Sequence, residues 1–351
     1  MRGDRLTIHV GPFRLRRAAR DGFRIERQFV AETLLRCRPD VVHAHWTYEY
    51  ALWALAARLP TVIAAHDAPL VILRYNLPTA RVGPLFAQVP TAVHWSVRTA
   101  MAALVARKAT RLIAVSPYVE HHFRHALRYR GEITVSPDMV PSTSRRPLSP
   151  IERPPDEGIK FLTIHSSWSA LKNGTAAIEA FAEIRAELSH AWLHMIGRGF
   201  GPGGPAESWA AERGLGAAGI TFVGPLPHDR VLDSLATADI LVHPSLEESF
   251  AMPIAEAQVA GVAVIGGAHS GAVPWTLDYN RADRLADVRS TSSLAGAMRE
   301  LALDHATRSR LARAGADRAR QRRDPERLIT PIEALLDAAA HDHRAKTDRT
   351  V

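Results

Sequence analysis

Short apolar runs of five to seven residues alternate with helical stretches along most of this chain. That alternation limits the possible folds more than any other feature. In the first half the runs lie at 40–45 (DVVHAH), 61–66, 111–116 and 132–136; in the second at 159–165 (IKFLTIH), 191–197, 220–224, 239–244 and 262–266. Most lack the polar/apolar alternation of a half-exposed strand and read as strands covered on both faces. Helical patterns separate them near 23–37, 49–59, 96–108 and 117–126, and again near 174–188, 206–214, 228–237 and 253–260. Strands alternating with helices build βαβ units and parallel sheets. Beyond about residue 285 the pattern is purely helical, at 291–303, 307–321 and 327–340.

A chain of 351 residues accommodates two domains of about 150 residues each. The Pro-, Ser- and charge-rich segment 141–158 (PSTSRRPLSPIERPPDEG) has the composition of a linker. The expected organisation is an N-terminal Rossmann-like domain over 1–145, a linker over 146–158, a second Rossmann-like domain over 159–325, a C-terminal helix over 326–340 and a flexible polar tail over 341–351. Two doubly wound α/β domains of this kind face a central cleft. Their ligands bind beyond the carboxyl ends of the strands, so candidate site residues are sought just after each strand.

Composition narrows the setting. The single cysteine, Cys37, excludes an intramolecular disulfide framework. The first twenty residues carry six arginines and no apolar core of a signal peptide. No apolar run approaches the roughly 18 residues of a membrane helix. The expectation is a soluble, cytoplasmic protein. Net charge is +8, with 22 basic and 10 acidic residues over 1–150 against 22 and 26 over the rest. A basic first half suits an anionic membrane or a phosphorylated acceptor, and equally an ordinary solvated basic surface. The stretch 96–111 (SVRTAMAALVARKATR) places basic residues beside an apolar helix face. It is a candidate for peripheral membrane contact, or a helix that simply packs on its sheet. Nucleic acid is not an expected partner.

The segment from His243 to Gly266 (HPSLEESFAMPIAEAQVAGVAVIG) carries the chemistry. A strand ends near His243, a loop holds Glu247 and Glu248, and Pro253 suits the first turn of a helix. Glu256 falls in that helix, eight positions after Glu248. The backbone N–H groups around Phe250, Ala251 and Met252 are expected to be free at the helix start, an arrangement suited to a diphosphate. Carboxylates on either side can accept hydrogen bonds from sugar hydroxyls. The plain alternative is a strand–loop–helix in which Glu256 serves its own helix N-terminus.

This stretch resembles the signature of the retaining GT-B glycosyltransferases of family 4, a pattern close to P-S-x-x-E-G-F-G-x-P-x-x-E-A. Pro244, Ser245, Glu248, Phe250, Pro253, Glu256 and Ala257 match; Ser249 and Ala251 replace the usual glycines. The resemblance assigns Glu248 to the donor sugar and Glu256 to the ribose hydroxyls. The loop 164–174 (IHSSWSALKNG) is similar to the family's phosphate loop, with Lys172 at the lysine and Ser167 in place of the arginine. That exchange removes a bidentate donor. The glycine-rich 195–204 (MIGRGFGPGG) is no dinucleotide fingerprint, because Pro202 stands at the third glycine. Gly197 and Gly199 fit the family's V-G-x-G-P, and Gly224 falls near the expected nucleotide base. His228 reads as a helix N-terminal residue rather than a catalyst.

In the first domain, 38–46 (RPDVVHAHW) and 64–69 (AAHDAP) resemble acceptor-side strands. The resemblance places His66 at the donor sugar near the reaction centre. His43 and His45 fit core packing and cleft lining equally well. The segment 5–14 (RLTIHVGPFR) looks like a later strand of that domain, so the first domain is expected to lack its opening βαβ portion.

The implied reaction moves a sugar from a nucleotide-sugar donor to a glycan or lipid-linked acceptor with retention, in cell-envelope polysaccharide or glycoconjugate synthesis. No D-x-D pair stands at a strand end, so no metal is expected, and no cofactor besides the nucleotide sugar as co-substrate. The rival readings are a degenerate, non-catalytic sugar-nucleotide-binding protein, an epimerase on the same two-domain plan, and a hydrolase using the two carboxylates.

Overall fold

The computed structural model describes residues 6–12, 14, 18, 20–78, 85–140, 158–215, 219–281, 283–322 and 325–348. Most of the linker expected at 146–158 therefore lies outside the described residues. The chain divides into two compact units: residues up to Pro137 together with Leu328 onward, and Asp138–Arg327.

The first unit is built from α1 (Arg24–Cys37), β1 (Val42–His45), α2 (Glu49–Ala56), β2 (Thr61–Ala65), α3 (Pro69–Tyr75), α4 (Leu85–Lys108), β3 (Arg111–Ala114), α5 (Pro117–His121) with a π-helical turn over His122–Ala126, and β4 (Glu132–Val135). All four strands are parallel and lie side by side in chain order. Thr61–Ala65 is buried along its whole length, which explains its unbroken apolar run. Proline begins α3 and α5, where its missing N–H is no loss. Ser116 caps α5 by accepting from Val119 N at 3.2 Å. On α4, Ala102, Val105 and Ala106 are buried, so much of the apolar face of 96–111 is committed to the protein interior.

The second unit runs β5 (Lys160–His165), α6 (Gly174–Arg185), β6 (Trp192–Gly197), α7 (Pro205–Ala211), β7 (Ile220–Gly224), α8 (His228–Ala236), β8 (Ile240–His243), α9 (Met252–Val259), β9 (Ala263–Gly267), α10 (Val273–Thr276), β10 (Arg284–Ala286), α11 (Thr291–Leu303) and α12 (His305–Arg322). Its six strands pair in parallel in the order β10-β9-β8-β5-β6-β7, the doubly wound arrangement in which the chain reverses direction between the first and fourth strands. Alternate strand residues feed two cores. Phe161, Leu193, Met195, Ile240, Val242, Ala263 and Ile265 pack with α6 and α11, while Leu162, Ile164, Leu241 and Val264 pack with α8 and α9. Each fully buried side chain of this size contributes about 1.5–3 kcal/mol.

Helix α13 (Pro325–Asp348) then returns to the first unit. Its Leu335 and Ala339 cover Val62, Ala64 and Ile113. Among the described residues no helix is long and apolar enough to cross a membrane.

Two expectations need correction. Residues 6–12 form no strand beyond a single bridge at Thr7; Leu6, Ile8 and Val10 are 63%, 44% and 83% exposed, so no apolar layer covers them. The C-terminal helix does not end at 340 in a flexible tail but continues to Asp348, tied down by Arg111 to Asp342 at 2.5 Å and Arg344 to Asp40 at 2.7 Å. Just before the helical region begins, β10 adds an edge strand of three residues that the apolar pattern did not show.

Candidate functional site

The reversal in strand order puts the ends of β5 and β8 side by side, and the loops that follow them converge. After β5, the turn at Ser169–Asn173 leads into α6, with Lys172 and Asn173 N–H both donating to Ser169 O at 3.1 Å. Asn173 adopts a left-handed conformation (φ 52°), and its side-chain amide donates to Pro244 O at 3.1 Å and to Val288 O at 2.8 Å. Leu246 N donates to Leu171 O at 2.8 Å. These bonds fix the Lys172 loop against the Glu248 loop.

Lys172 Nζ donates to Glu248 Oε1 at 2.7 Å, and His243 Nε2 lies 3.0 Å from the same oxygen. The other oxygen of Glu248 has no hydrogen bond among the described residues. Burial opposes the charge on Glu248, but the Lys172 ammonium and the His243 contact outweigh it and hold the carboxyl well below its ordinary range. Behind this group His165 stacks on Phe200 with ring centroids 5.5 Å apart and lies 5.7 Å from His243. Among the described residues neither ring nitrogen of His165 has a partner. Burial, then the neighbouring His243 and Lys172, push its pKa far down, so the ring is neutral.

The Glu248 loop is held from its other side. Ala272 N donates to Glu248 O at 2.8 Å, and Thr276 Oγ1 donates to Phe250 O at 2.8 Å. Gly271 makes this approach possible: at φ 61°, a Cβ there would lie 2.4 Å from both Glu248 O and Glu247 Oε1. The loop then turns into α9 through Ala251, a left-handed cap at φ 69° and ψ 69°. A non-glycine residue there costs about 1–2 kcal/mol, which gives a physical reason for the glycine usual in the resembling pattern. Pro253 stands in the first turn of α9. The backbone N–H groups of Phe250, Ala251 and Met252 have no partner among the described residues. The helix start therefore offers donors and a positive dipole end.

Glu256, 7% exposed, has Oε1 at 2.8 Å from Nε2 of His228, the first residue of α8. Buried deeper on α9, Gln258 donates to Asp283 Oδ2 at 2.9 Å, and Val264 N donates to Oδ1 at 2.7 Å. Burial holds Asp283 well above its usual pKa despite those bonds.

Gly197 ends β6 at φ 138°, and a Cβ there would fall 1.9 Å from His165 O. Gly224 ends β7 at φ 85°, 3.2 Å from Gly201 Cα by the same measure. Both glycines let the loops after their strands lie close to neighbouring backbone. Ser167 is half-buried two residues past β5. Its neighbour Trp168 donates its backbone N–H to Arg198 O at 2.8 Å.

In the first unit His66 follows β2 directly, and its Nε2 lies 2.8 Å from Nδ1 of His45 at the end of β1. The His43 ring lies 4.5 Å from that of His45, tilted by 42°, and Trp46, left-handed at φ 70°, lies 5.0 Å from the His66 ring. Next to His66, Tyr48 Oη donates to Asp67 at 2.6 Å. Burial pushes Asp67 up to about 6 against the opposing pull of Tyr48 and Arg98. Among the described residues no three His, Cys, Asp or Glu side chains gather as around a metal ion.

Within the second unit the structure thus brings Lys172, Glu248 and the Phe250–Met252 backbone to one set of converging loops, with Glu256 on the helix they start. The pairing histidines, His243 and His228, were not singled out from sequence as partners of the glutamates. The signals were slight: His243 directly precedes Pro244-Ser245, and His228 opens a predicted helix.

Two parallel α/β sheets on one chain, the second doubly wound with Lys172 and Glu248 paired in the loops at its strand-order reversal, fit the GT-B class of architecture. Solved structures share it. Sucrose-phosphate synthase from Thermosynechococcus elongatus superposes with a TM-score of 0.72 at 17% identity, covering 92% of this chain and 79% of that one. HepE of Anabaena in complex with UDP gives 0.66 at 18%, covering 89% and 82%. The chain belongs to the group 1 and family 4 glycosyltransferases: the model of "Glycosyl transferases group 1" matches residues 146–318, and that of "Glycosyltransferase Family 4" matches 2–142. Among curated proteins, D-inositol 3-phosphate glycosyltransferase of Nocardioides sp. is 33% identical over 116 residues, 32% of this chain and 25% of that protein. The enzyme of the same name from Corynebacterium jeikeium is 32% identical over 95 residues, 27% and 22%. The matched stretch spans about a quarter of these relatives' length.

Proposed function

We propose that this chain transfers a sugar, with retention and without a divalent metal, from a nucleotide-sugar donor to a glycan or lipid-linked acceptor in cell-envelope polysaccharide or glycoconjugate synthesis. The observation that carries the reading is the convergence, at the strand-order reversal of the second unit, of Lys172, Glu248 and the unpaired N–H groups of Phe250, Ala251 and Met252. A cation and a helix start together suit a diphosphate. The carboxylates of Glu248 and Glu256 supply acceptors for sugar and ribose hydroxyls. Ser167, Gly197 and Gly224 lie in the loops that would border the donor.

In this reading the bond from the anomeric carbon to the diphosphate oxygen breaks as the acceptor oxygen bonds to the same face of that carbon. The acceptor's proton passes to the departing phosphate oxygen. Lys172 and the start of α9 stabilise the charge that develops there. The protein's contribution is positional and electrostatic. The assignment of His66 to the donor sugar rests on the family resemblance. A sugar-nucleotide-binding protein without turnover is the competing reading; Ser167 at the arginine's place is the observation in its favour.

The test is calorimetry of the purified chain with UDP, GDP, ADP and TDP in EDTA, beside Glu256→Ala. One nucleotide should bind and the variant should bind it much more weakly. Release of that nucleotide from its sugar conjugate is then measured with lipid-linked and glycan acceptors. D-inositol 3-phosphate, for which both curated relatives are named, belongs in the panel. Binding without turnover on any acceptor supports the competing reading, and no binding by the folded protein removes the donor site.

A further inference from the structure

His228 opens α8 and Glu256 lies in α9, two helices packed against each other in the second unit. The imidazole Nε2 is 2.8 Å from Glu256 Oε1. The histidine side chain is 57% exposed and the glutamate side chain 8%. The contact therefore joins a surface ring to a carboxylate that is otherwise held inside the protein. Among the described residues Glu256 has no other side-chain hydrogen bond. Donation from Nε2–H occupies one lone pair of Oε1 and leaves the other, with both lone pairs of Oε2, able to accept.

A carboxylate fixed in one plane by such a bond presents two acceptors side by side. That is the complement of two adjacent hydroxyl groups. An unrestrained glutamate reaches the same geometry only by giving up side-chain rotational freedom on binding. We propose that His228 is a positioning residue: it fixes the carboxylate of Glu256 against the vicinal 2′ and 3′ hydroxyls of the donor's ribose, and so sets a preference for ribonucleoside over 2′-deoxyribonucleoside diphosphates. The inference rests on the reading of Glu256 as the ribose acceptor. The selectivity follows from a missing hydroxyl: with the plane fixed, only a ligand carrying both hydroxyls engages both carboxylate oxygens, and a 2′-deoxy ligand gains little from the fixed plane.

The experiment is calorimetry of the wild type, His228→Ala, His228→Gln and Glu256→Ala with UDP, GDP and ADP and the 2′-deoxy form of each. Because the ring is exposed, the alanine variant opens no cavity, and circular dichroism verifies its fold. The wild type should prefer the ribo form. His228→Ala should weaken the ribonucleotide about tenfold and its deoxy counterpart less than twofold, and His228→Gln, whose amide also donates, should restore much of the difference. Equal weakening of both forms, or none, overturns the proposal while leaving the donor site standing. Loss of the ribo preference in Glu256→Ala but not in His228→Ala does the same. No binding of any of the six by the folded wild type defeats the donor reading and the proposal with it.

Discussion

Lys172 Nζ lies 2.7 Å from Glu248 Oε1, across seventy-six residues of chain. The expected phosphate-binding lysine and the expected sugar-binding glutamate are thus each other's counter-ion. This partner and His243 hold the glutamate's carboxyl well below the ordinary carboxylate range, despite its burial. Replacing Lys172 by Met leaves a buried carboxylate with only His243, at a cost of about 3 kcal/mol at pH 7. The sign follows from the depressed pKa: the pair's contribution is full above the unfolded value near 4.5 and is lost as pH falls toward the folded one. Urea unfolding of wild type and Lys172→Met should therefore differ most at pH 7 and converge toward pH 3. A constant gap would mean that Glu248 does not owe its low pKa to Lys172.

Asp67 has the opposite sign. Its folded pKa of about 6 stands above the unfolded 3.8, so the folded state holds the proton more tightly. Stability from this group is present at low pH and is lost as pH rises from about 4 through 6. Asp67→Asn should stabilise the protein by about 2–3 kcal/mol at pH 7.5 and by almost nothing at pH 4. Thermal unfolding at the two pH values measures it; equal effects at both would count against the burial argument.

Gly271 sits where a Cβ would meet Glu248 O and Glu247 Oε1 at 2.4 Å. Gly271→Ala must push the Glu248 loop aside, and its φ of 61° adds strain. We expect a loss of about 3 kcal/mol in stability, with nucleotide binding at least tenfold weaker in the fraction that folds. Retention of both would show that the loop is slack.

At Ala251 a glycine relieves left-handed strain of about 1–2 kcal/mol but gives up a buried methyl of about 0.8 kcal/mol and chain entropy of 0.5–1 kcal/mol. Ala251→Gly should therefore leave stability within about 1 kcal/mol of wild type. Ala251→Val, β-branched in the same conformation and pressed into a packed site, should lose about 3 kcal/mol or more. Denaturant midpoints distinguish these outcomes.

Nine of the ten strands among the described residues were legible as short apolar-rich runs, most plainly where both faces are covered, as in Thr61–Ala65. The tenth, Arg284–Ala286, is an edge strand with one neighbour and too few residues to show a pattern. The run at 5–14 has strand-like composition but no sheet to cover it, and composition alone cannot supply that neighbour. Helix α4 begins at Leu85 rather than near 96, and Pro90 inside it hides the earlier start. In the site, Glu248, Glu256 and Lys172 were readable because their spacing resembles a known pattern. The bonds from His243 and His228 were not, because tertiary packing makes them: His228 and Glu256 are twenty-eight residues apart, on different helices.

The last helix has a consequence for biogenesis. Leu335 and Ala339 of α13 complete the core around Val62, Ala64 and Ile113, yet they leave the ribosome after every other described strand and helix. The first unit's sheet thus stays bare on that face until α13 has been made. Asp138–Arg327, a compact unit in itself, already has all its strands by then. The order of maturation is the reverse of the order of synthesis. Loss of α13 therefore harms the first unit rather than its sequence neighbour, exposing an apolar sheet face to chaperones and proteases.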